Sequence, residues 1–520
     1  MKHDTFFSQL QRALPTVVAV LISVLLSYYV VSRNALLNDD AYGYLRAAEL
    51  FQSDGLRSVI DLYGWYGYSI LIAWFDPFIP GGILQSAHWL NAFSYALLVS
   101  AFIRICVQLH PVPSLRVYWF AALTILLFPE INEMRYFLIR DFAYWAFSLW
   151  SLSFLLDFNA RPRWFSAALW CLCVLLAIAF RLEGLLPLVF VPIFLSLPPP
   201  RGQRWDKHKL SLLWGVLAIG VSVVTVLCYL AGINLLALIG FAYRYYLPLL
   251  FDLSGSLHDT IADLGQVLFT PDNFPGAENL WYGGIIIVFA YVFTVVVNLV
   301  QALTLPLAAL LYWGWAQGLL RALPQAARPV AAYLWSSVVA LTLFMFIMHF
   351  LIQRYAVLLC LVLMTQVPRL LDYLAGMARV RGFMPRFCWA LGLFCVYYLA
   401  DSFVSFGYSR AYMEQAIAWT RSEVPASAML HTNDRAIAYG SGLVADYDLV
   451  SRDASLALRQ AQPGDYLVLE VRNSDAVLRE ELDQQRDLRL RERFRNERGD
   501  EVRIYQKQAY DLLPLSSPLH

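Results

Sequence analysis

The chain has 520 residues, is 59% hydrophobic, only 15% charged, and carries a formal net charge of +1. An ordinary soluble domain carries about 25% charged residues. A mean hydropathy of +0.54, with repeated apolar runs near the ~20 residues needed to cross a bilayer, therefore excludes a soluble globular protein and predicts a mostly α-helical, polytopic membrane protein. The net charge points to no class of partner; membrane lipids are expected and nucleic acid is not.

The first apolar run, Leu14 to Val31, is flanked by Lys2 and Arg12 and followed by no small-residue cleavage site. It reads as an uncleaved first span with its N-terminus in the cytoplasm. The stretch Asn38-Asp39-Asp40-Ala41-Tyr42 follows and opens a loop at 34–83. Tyr44, Leu45, Ala48 and Phe51 recur there at helical spacing, which suits a helix on the membrane surface. Residues 66–80 are apolar but interrupted by Pro77 and Pro80, and read as interfacial or re-entrant.

Spans are then predicted near 83–107, 117–129, 142–156, 165–180, 185–197 and 210–232. A second outer loop, 233–280, contains Tyr243-Arg244-Tyr245-Tyr246. The uncharged run 280–320 is long enough for two crossings, and further spans are predicted near 330–352, 355–371 and 387–405. One crossing in 280–320 keeps Arg104/Arg116, Arg161/Arg163, Arg201–Lys209, Arg321/Arg328 and Arg369–Arg386 on one side, so the positive-inside rule favours about eleven spans with the C-terminus outside. Domain organisation is then a transmembrane catalytic part, 1–408, and a small soluble α/β domain, 409–520. In the latter, strands are expected at 428–432, 466–471 and 502–506, and the charges from Glu480 to Arg503 read as a solvated helix face.

Seven cysteines lie in or beside apolar segments and none in the C-terminal part, so no disulfide framework is expected there. No metal-ligand spacing is present. Asp39 and Asp40 could share a divalent cation, but no DxD spacing or nearby His supports one, and no cofactor is identified.

The candidate chemistry sits on the outer side. Asp39 or Asp40 could act as general base on an acceptor hydroxyl or amine; alternatively both simply keep the loop out of lipid. Asp141, at the start of the fourth span, is either a residue favoured by the helix dipole or a second site acid, with Glu130 and Glu133 as weaker candidates. Arg135, Arg140, Arg181, Arg244 and Arg354 all fall near outer mouths of spans, a cationic set able to hold a lipid-linked phosphate. Singly, each arginine reads as snorkelling or paired with a neighbouring acid, Arg181 with Glu183 or Asp141, and Tyr243 belongs to an aromatic cluster that could stack on a sugar or form an interfacial belt.

Four features resemble the GT-C superfamily of membrane glycosyltransferases, in the branch of protein O-mannosyltransferases and the lipid A aminoarabinose transferase. These are Asp39-Asp40-Ala41-Tyr42-Gly43-Tyr44 after the first span; Pro129-Glu130 through Asp141; Arg181-Leu182-Glu183-Gly184-Leu185-Leu186; and Val424-Pro425-Ala426-Ser427-Ala428 followed by Thr432-Asn433-Asp434 and Tyr439. The family often has Asp-Glu where this chain has Asp-Asp, and Pro where it has Leu182. The resemblance implies a polyprenyl-phosphate sugar donor, inverting transfer to a lipid, glycan or protein acceptor, Asp39 or Asp40 as base and Asp141 as second acid. Arg-rich usage, with Lys only at 2, 207, 209 and 507, fits a bacterial inner membrane and a periplasmic outer face. The rival classes are a flippase or transporter of lipid-linked sugars, which should carry mid-span ionisable residues and paired broken helices, and a non-catalytic scaffold, which needs no outer acids.

Overall fold

A computed structural model of the chain describes residues 2–34, 36–62, 66–197, 207–230, 232, 280–320, 326–404 and 409–509. It divides into two compact units. One comprises Met1–Leu26, Asn91–Met134 and Arg140–Phe403; the other comprises Ser27–Leu90, Arg135–Ile139 and Val404–His520.

The first unit is helical. In chain order it holds most of α1 (Lys2–Arg33) and α5 (Gly82–Gln108), then α6 (Leu115–Leu126), α7 (Pro129–Glu133), α8 (Asp141–Ala160), α9 (Trp164–Phe180), α10 (Leu185–Ser196) and α11 (Lys207–Leu230). It continues with α12 (Leu280–Leu303), α13 (Leu305–Ala316), α14 (Ala327–Met348), α15 (Gln353–Met364), α16 (Val367–Val380) and α17 (Met384–Phe403). α8 lies along α9, and α14 packs on α10. Trp145, Phe158, Trp170 and Tyr333 are fully buried. Polar atoms in this core are satisfied internally, as an apolar solvent requires: Trp170 Nε1 donates to Tyr333 Oη at 3.2 Å, and Tyr333 and Ser151 share a 2.5 Å hydrogen bond.

Among the described residues, five helices are long and apolar enough to cross a membrane: Gln11–Arg33, Gly82–Gln108, His208–Leu230, Gly284–Leu303 and Ala327–Met348. The pair α15 and α16, bent by 42°, makes a sixth if counted as one span. Pro368 in the first turn of α16 explains that break, since proline starts a helix more readily than it continues one. α6, α9, α10 and α13 are apolar but shorter, and their crossing rests on the sequence pattern. The 280–320 run does not form one helix. It breaks at Thr304, which has φ 65° and ψ 152°, and the Thr304 hydroxyl is hydrogen-bonded to Tyr398.

The second unit is α/β. It holds the C-terminal turns of α1, then α2 (Asp39–Asp54), α3 (Leu56–Leu62), α4 (Gly67–Phe75) and the start of α5. Its C-terminal portion contributes α18 (Ala411–Glu423), β1 (Leu430–Thr432), α19 (Arg435–Ser441), α20 (Ala454–Gln460), β2 (Tyr466–Val471), α21 (Ala476–Gln484), β3 (Leu488–Arg495) and β4 (Glu501–Lys507). The sheet order is β1-β2-β4-β3, with β1 parallel to β2 and the remaining pairs antiparallel. Leu467, Leu469 and Val471 of the central strand pack with Leu458, Leu482 and Tyr505.

The expected surface helix is α2. Its buried face is Ala41, Tyr42, Tyr44, Leu45, Ala47 and Ala48. Tyr44 meets Tyr68 of α4 edge-on at 5.1 Å, while Tyr42 lies 5.6 Å from Tyr439 and 6.5 Å from Tyr447. Arg46 adds ion pairs to Asp446 (3.0 Å) and Asp448 (3.8 Å). α2 is thus covered by α4 and by the C-terminal portion of its own unit.

One expectation is corrected. The charged segment Glu480–Arg503 is not a single solvated helix face: the helix ends at Gln484, and Leu488–Arg495 is an edge strand with a bulge between Leu490 and Glu492. The sequence LRLRERFR hides this because an edge strand can carry charge on both faces, which also discourages pairing with another chain. Inside the sheet, Glu501 is fully buried among Arg493, Arg503 (2.6 Å) and Arg479 (3.6 Å).

Candidate active site

The acidic pair opens α2. Asp39 and Asp40 occupy its first turn, where the helix dipole favours negative charge, and both are exposed. The residue before them fixes their position. Asn38 Oδ1 accepts from the Leu138 amide at 2.8 Å, and its Nδ2 donates to the Leu138 carbonyl at 3.3 Å. Asp39 is ion-paired with Arg452, and both line a cleft of about 780 Å³ with Tyr136, Phe137, Tyr412 and Glu470. Arg452 lies in the loop before α20 and carries no signal in the sequence that ties it to Asp39. Arg135 is 1% exposed and donates to Ser27 Oγ of α1 at 2.9 Å.

The C-terminal motif has a structural role here. Asn433 brackets the backbone of Glu470, donating to its carbonyl at 2.9 Å and accepting from its amide at 2.8 Å. Asp434 caps α19 by accepting from Ala436 and Ile437. These contacts set the rim of the cleft and, through Tyr439, the seat of α2.

A second cluster lies in the helical unit. Arg181, at the end of α9, is ion-paired with Asp141 at the start of α8 and with Glu183 two residues on. Asp141 and Arg181 are 3% and 8% exposed. The Arg181 guanidinium stands 5.0 Å from the centre of the Tyr355 ring, and Arg354 lies 5.4 Å from the same ring. Asp141, Arg181, Glu183, Arg354, Tyr144 and Tyr355 line a cavity of about 30 Å³. Arg140 is within electrostatic reach of Glu183.

Gly184 explains why the α9–α10 turn has its sequence. A Cβ there would stand 2.8 Å from the Ile178 nitrogen, 3.0 Å from the Ala177 carbonyl carbon and 3.1 Å from Ile178 Cα. All three are backbone atoms of α9 and cannot rotate away. Only glycine lets the 182–184 turn fold back onto α9 and aim Glu183 at Arg181.

Glu130 and Glu133 sit on the short helix α7, also in the helical unit. Burial, with the charge of Glu133 beside it, pushes the Glu130 carboxyl up to about 7. Among the described residues no cluster of three or more His, Cys, Asp or Glu could hold a metal ion. Tyr243 and Arg244 lie outside the described residues. The structure therefore groups Asp141, Arg181, Glu183 and Arg354 with Arg140 in one unit, and places Asp39, Asp40 and Arg135 in the other.

No family model matches this sequence, and no curated protein matches it. Solved structures do. The archaeal oligosaccharyltransferase AglB from Archaeoglobus fulgidus, in complex with an inhibitory peptide and a dolichol-phosphate, matches over 88% of this chain and 69% of its own. That match has a TM-score of 0.51 at 13% identity. ArnT from Cupriavidus metallidurans bound to undecaprenyl phosphate matches over 97% of this chain and 99% of its own, with a TM-score of 0.48 at 12% identity. The chain shares its fold with AglB.

Proposed function

We propose that the chain is a membrane glycosyltransferase that moves a sugar from a polyprenyl-phosphate carrier to an acceptor on the outer, periplasmic face of a bacterial inner membrane. The shared fold with AglB, whose structure holds a dolichol-phosphate, supports the carrier. One observation carries the reading: the Asp141–Arg181–Glu183 cluster, with Asp141 and Arg181 buried and Arg354 and Arg140 beside it, in the helical unit. Burying several charges next to lipid is costly and is the mark of a functional site.

Roles follow from the partners. Arg181 is held by two carboxylates, so it fixes the geometry of the site. Arg354 and Arg140 bind the lipid phosphate, and Asp141 is the second site acid. Asp39 or Asp40 takes the acceptor proton. The acceptor oxygen or nitrogen then bonds to the anomeric carbon from the side opposite the phosphate. The bond from that carbon to the phosphate oxygen breaks, and polyprenyl phosphate leaves with the bonding pair. This displacement inverts the anomeric centre.

Ligand-induced thermal stabilisation tests the phosphate site. Undecaprenyl phosphate raises the apparent Tm of the purified protein and neutral undecaprenol does not, and Arg354→Gln removes the difference. Equal stabilisation by both lipids, or an unchanged response in Arg354→Gln, would sink this assignment.

A further inference from the structure

The cavity beside Arg354 is too small for the ligand proposed for it. A volume of about 30 Å³ has room for water, not for a phosphodiester with a sugar on it. One wall has to move before a lipid-linked donor can enter. The wall formed by α8 and the 182–184 turn is fixed, since Asp141 is tied to Arg181 and the Gly184 backbone packs against that of α9. The other wall is the corner between α14 and α15, where the rings of Phe344 and Tyr355 lie 4.1 Å apart and Arg354 opens the second helix.

That corner is built to move. His349 caps α14 in the left-handed region, with φ 57° and ψ 12°. Among the described residues, His349 and Thr304 are the non-glycine residues at positive φ, a backbone that persists only where neighbours hold it. Met348, Phe350 and Ile352 are exposed apolar side chains, so in a bilayer the corner meets the acyl chains through which a polyprenyl tail arrives. Helix α12 clasps the corner at two points. The Tyr291 hydroxyl is hydrogen-bonded to His349 Nδ1, and its ring meets Phe346 edge-on at 5.2 Å. Further along α12, Gln301 Oε1 accepts from Gln353 Nε2 at 3.3 Å, one residue before Arg354. α12 is itself anchored just past its end, by the Thr304 hydroxyl on Tyr398 of α17.

We infer that the α14–α15 corner is the gate by which the lipid-linked donor reaches Arg354, and that Tyr291 and Gln301 of α12 are its latch. The gate rests on the proposed phosphate site and adds how a lipid enters it. Latched, the corner keeps the cavity at the size of water. Released, it swings toward lipid, the cavity widens, and Arg354 meets the phosphate. Tyr291 and Gln301 touch no reacting atom. They set the fraction of the protein that is open, and apparent affinity scales with that fraction. Removing the latch therefore tightens lipid binding, whereas losing a merely structural contact weakens it or leaves it unchanged.

The test is surface plasmon resonance on the full-length protein in detergent, with geranylgeranyl phosphate as the probe and geranylgeraniol as its neutral counterpart. Tyr291→Phe removes one hydrogen bond, and it raises both the association rate and the affinity for the phosphate about five-fold with dissociation unchanged. Gln301→Ala shifts both in the same direction. Tyr312→Phe, at an exposed tyrosine on α13, changes neither. Without ligand, hydrogen exchange of the 349–355 amides quickens in Tyr291→Phe, while that of 178–184 does not. Unchanged or weaker binding by Tyr291→Phe, an equal change in Tyr312→Phe, or unchanged exchange at 349–355 overturns the gate. No binding of geranylgeranyl phosphate by the wild type, or equal binding of geranylgeraniol, refutes the phosphate site and the gate with it. Phosphate-selective binding with Tyr291→Phe inert refutes the gate alone.

Discussion

Gly184→Ala isolates the geometry on which the buried cluster depends. The added Cβ would meet three backbone atoms of α9 at 2.8–3.1 Å, where ordinary van der Waals contact between such atoms begins several tenths of an ångström further out. No side chain can yield, so the 182–184 turn or the end of α9 must move. Overpacking of this kind costs about 1–3 kcal/mol. The same movement pulls Glu183 from Arg181, whose three hydrogen bonds to it, at 2.5, 3.2 and 3.2 Å, tolerate little displacement. The expected result is a lower apparent Tm together with loss of stabilisation by undecaprenyl phosphate. Gly376→Ala, in α16, serves as a control, because its Cβ would meet nothing within 4 Å. Gly184→Ala with unchanged Tm and unchanged lipid response would refute the argument that this turn aims Glu183.

Arg181→Gln leaves Asp141 buried, and Glu183 half-buried, without their shared cation, which costs about 3 kcal/mol; expression and thermal unfolding in detergent read the loss, and Arg181→Lys recovers only part of it because a point charge cannot bridge both acids. Glu501→Gln strips the fully buried carboxylate from Arg503 and Arg493, destabilising the sheet by about 3 kcal/mol, read as faster proteolysis of the C-terminal segment. For Glu130 the sign follows from its raised pKa, about 7 against an ordinary 4.5: the native state keeps a proton that the unfolded chain releases, so stability falls as pH rises from 4.5 through 7. Glu130→Gln lacks that loss, and its Tm advantage over the wild type opens across this window and then stays level; a constant gap contradicts the assignment.

The sequence shows some of this directly. α2 is legible because an acidic pair followed by apolar residues at helical spacing marks a helix start, and β2 and β4 are legible as short runs of β-branched and aromatic residues. The link from Asp39 to Arg452 is not legible, since the two meet only after the C-terminal portion folds onto α2. Arg135 reads as one more outer arginine, yet its burial against Ser27 on α1 gives it a holding role. The Arg181-Leu182-Glu183-Gly184 motif is visible as residues, whereas the reason for its glycine lies in the backbone of the helix before it. β3 escapes because burial, which imprints alternation on a sequence, is absent along most of an edge strand.

The most direct test of the central claim is sugar transfer in proteoliposomes supplied with a labelled polyprenyl-phosphate donor and an envelope acceptor fraction. The wild type moves label from lipid to acceptor. Asp141→Asn and one of Asp39→Asn or Asp40→Asn lower the rate by about a hundred-fold or more, with undecaprenyl phosphate still bound. Full transfer by all three variants, each folded and inserted normally, would contradict the account.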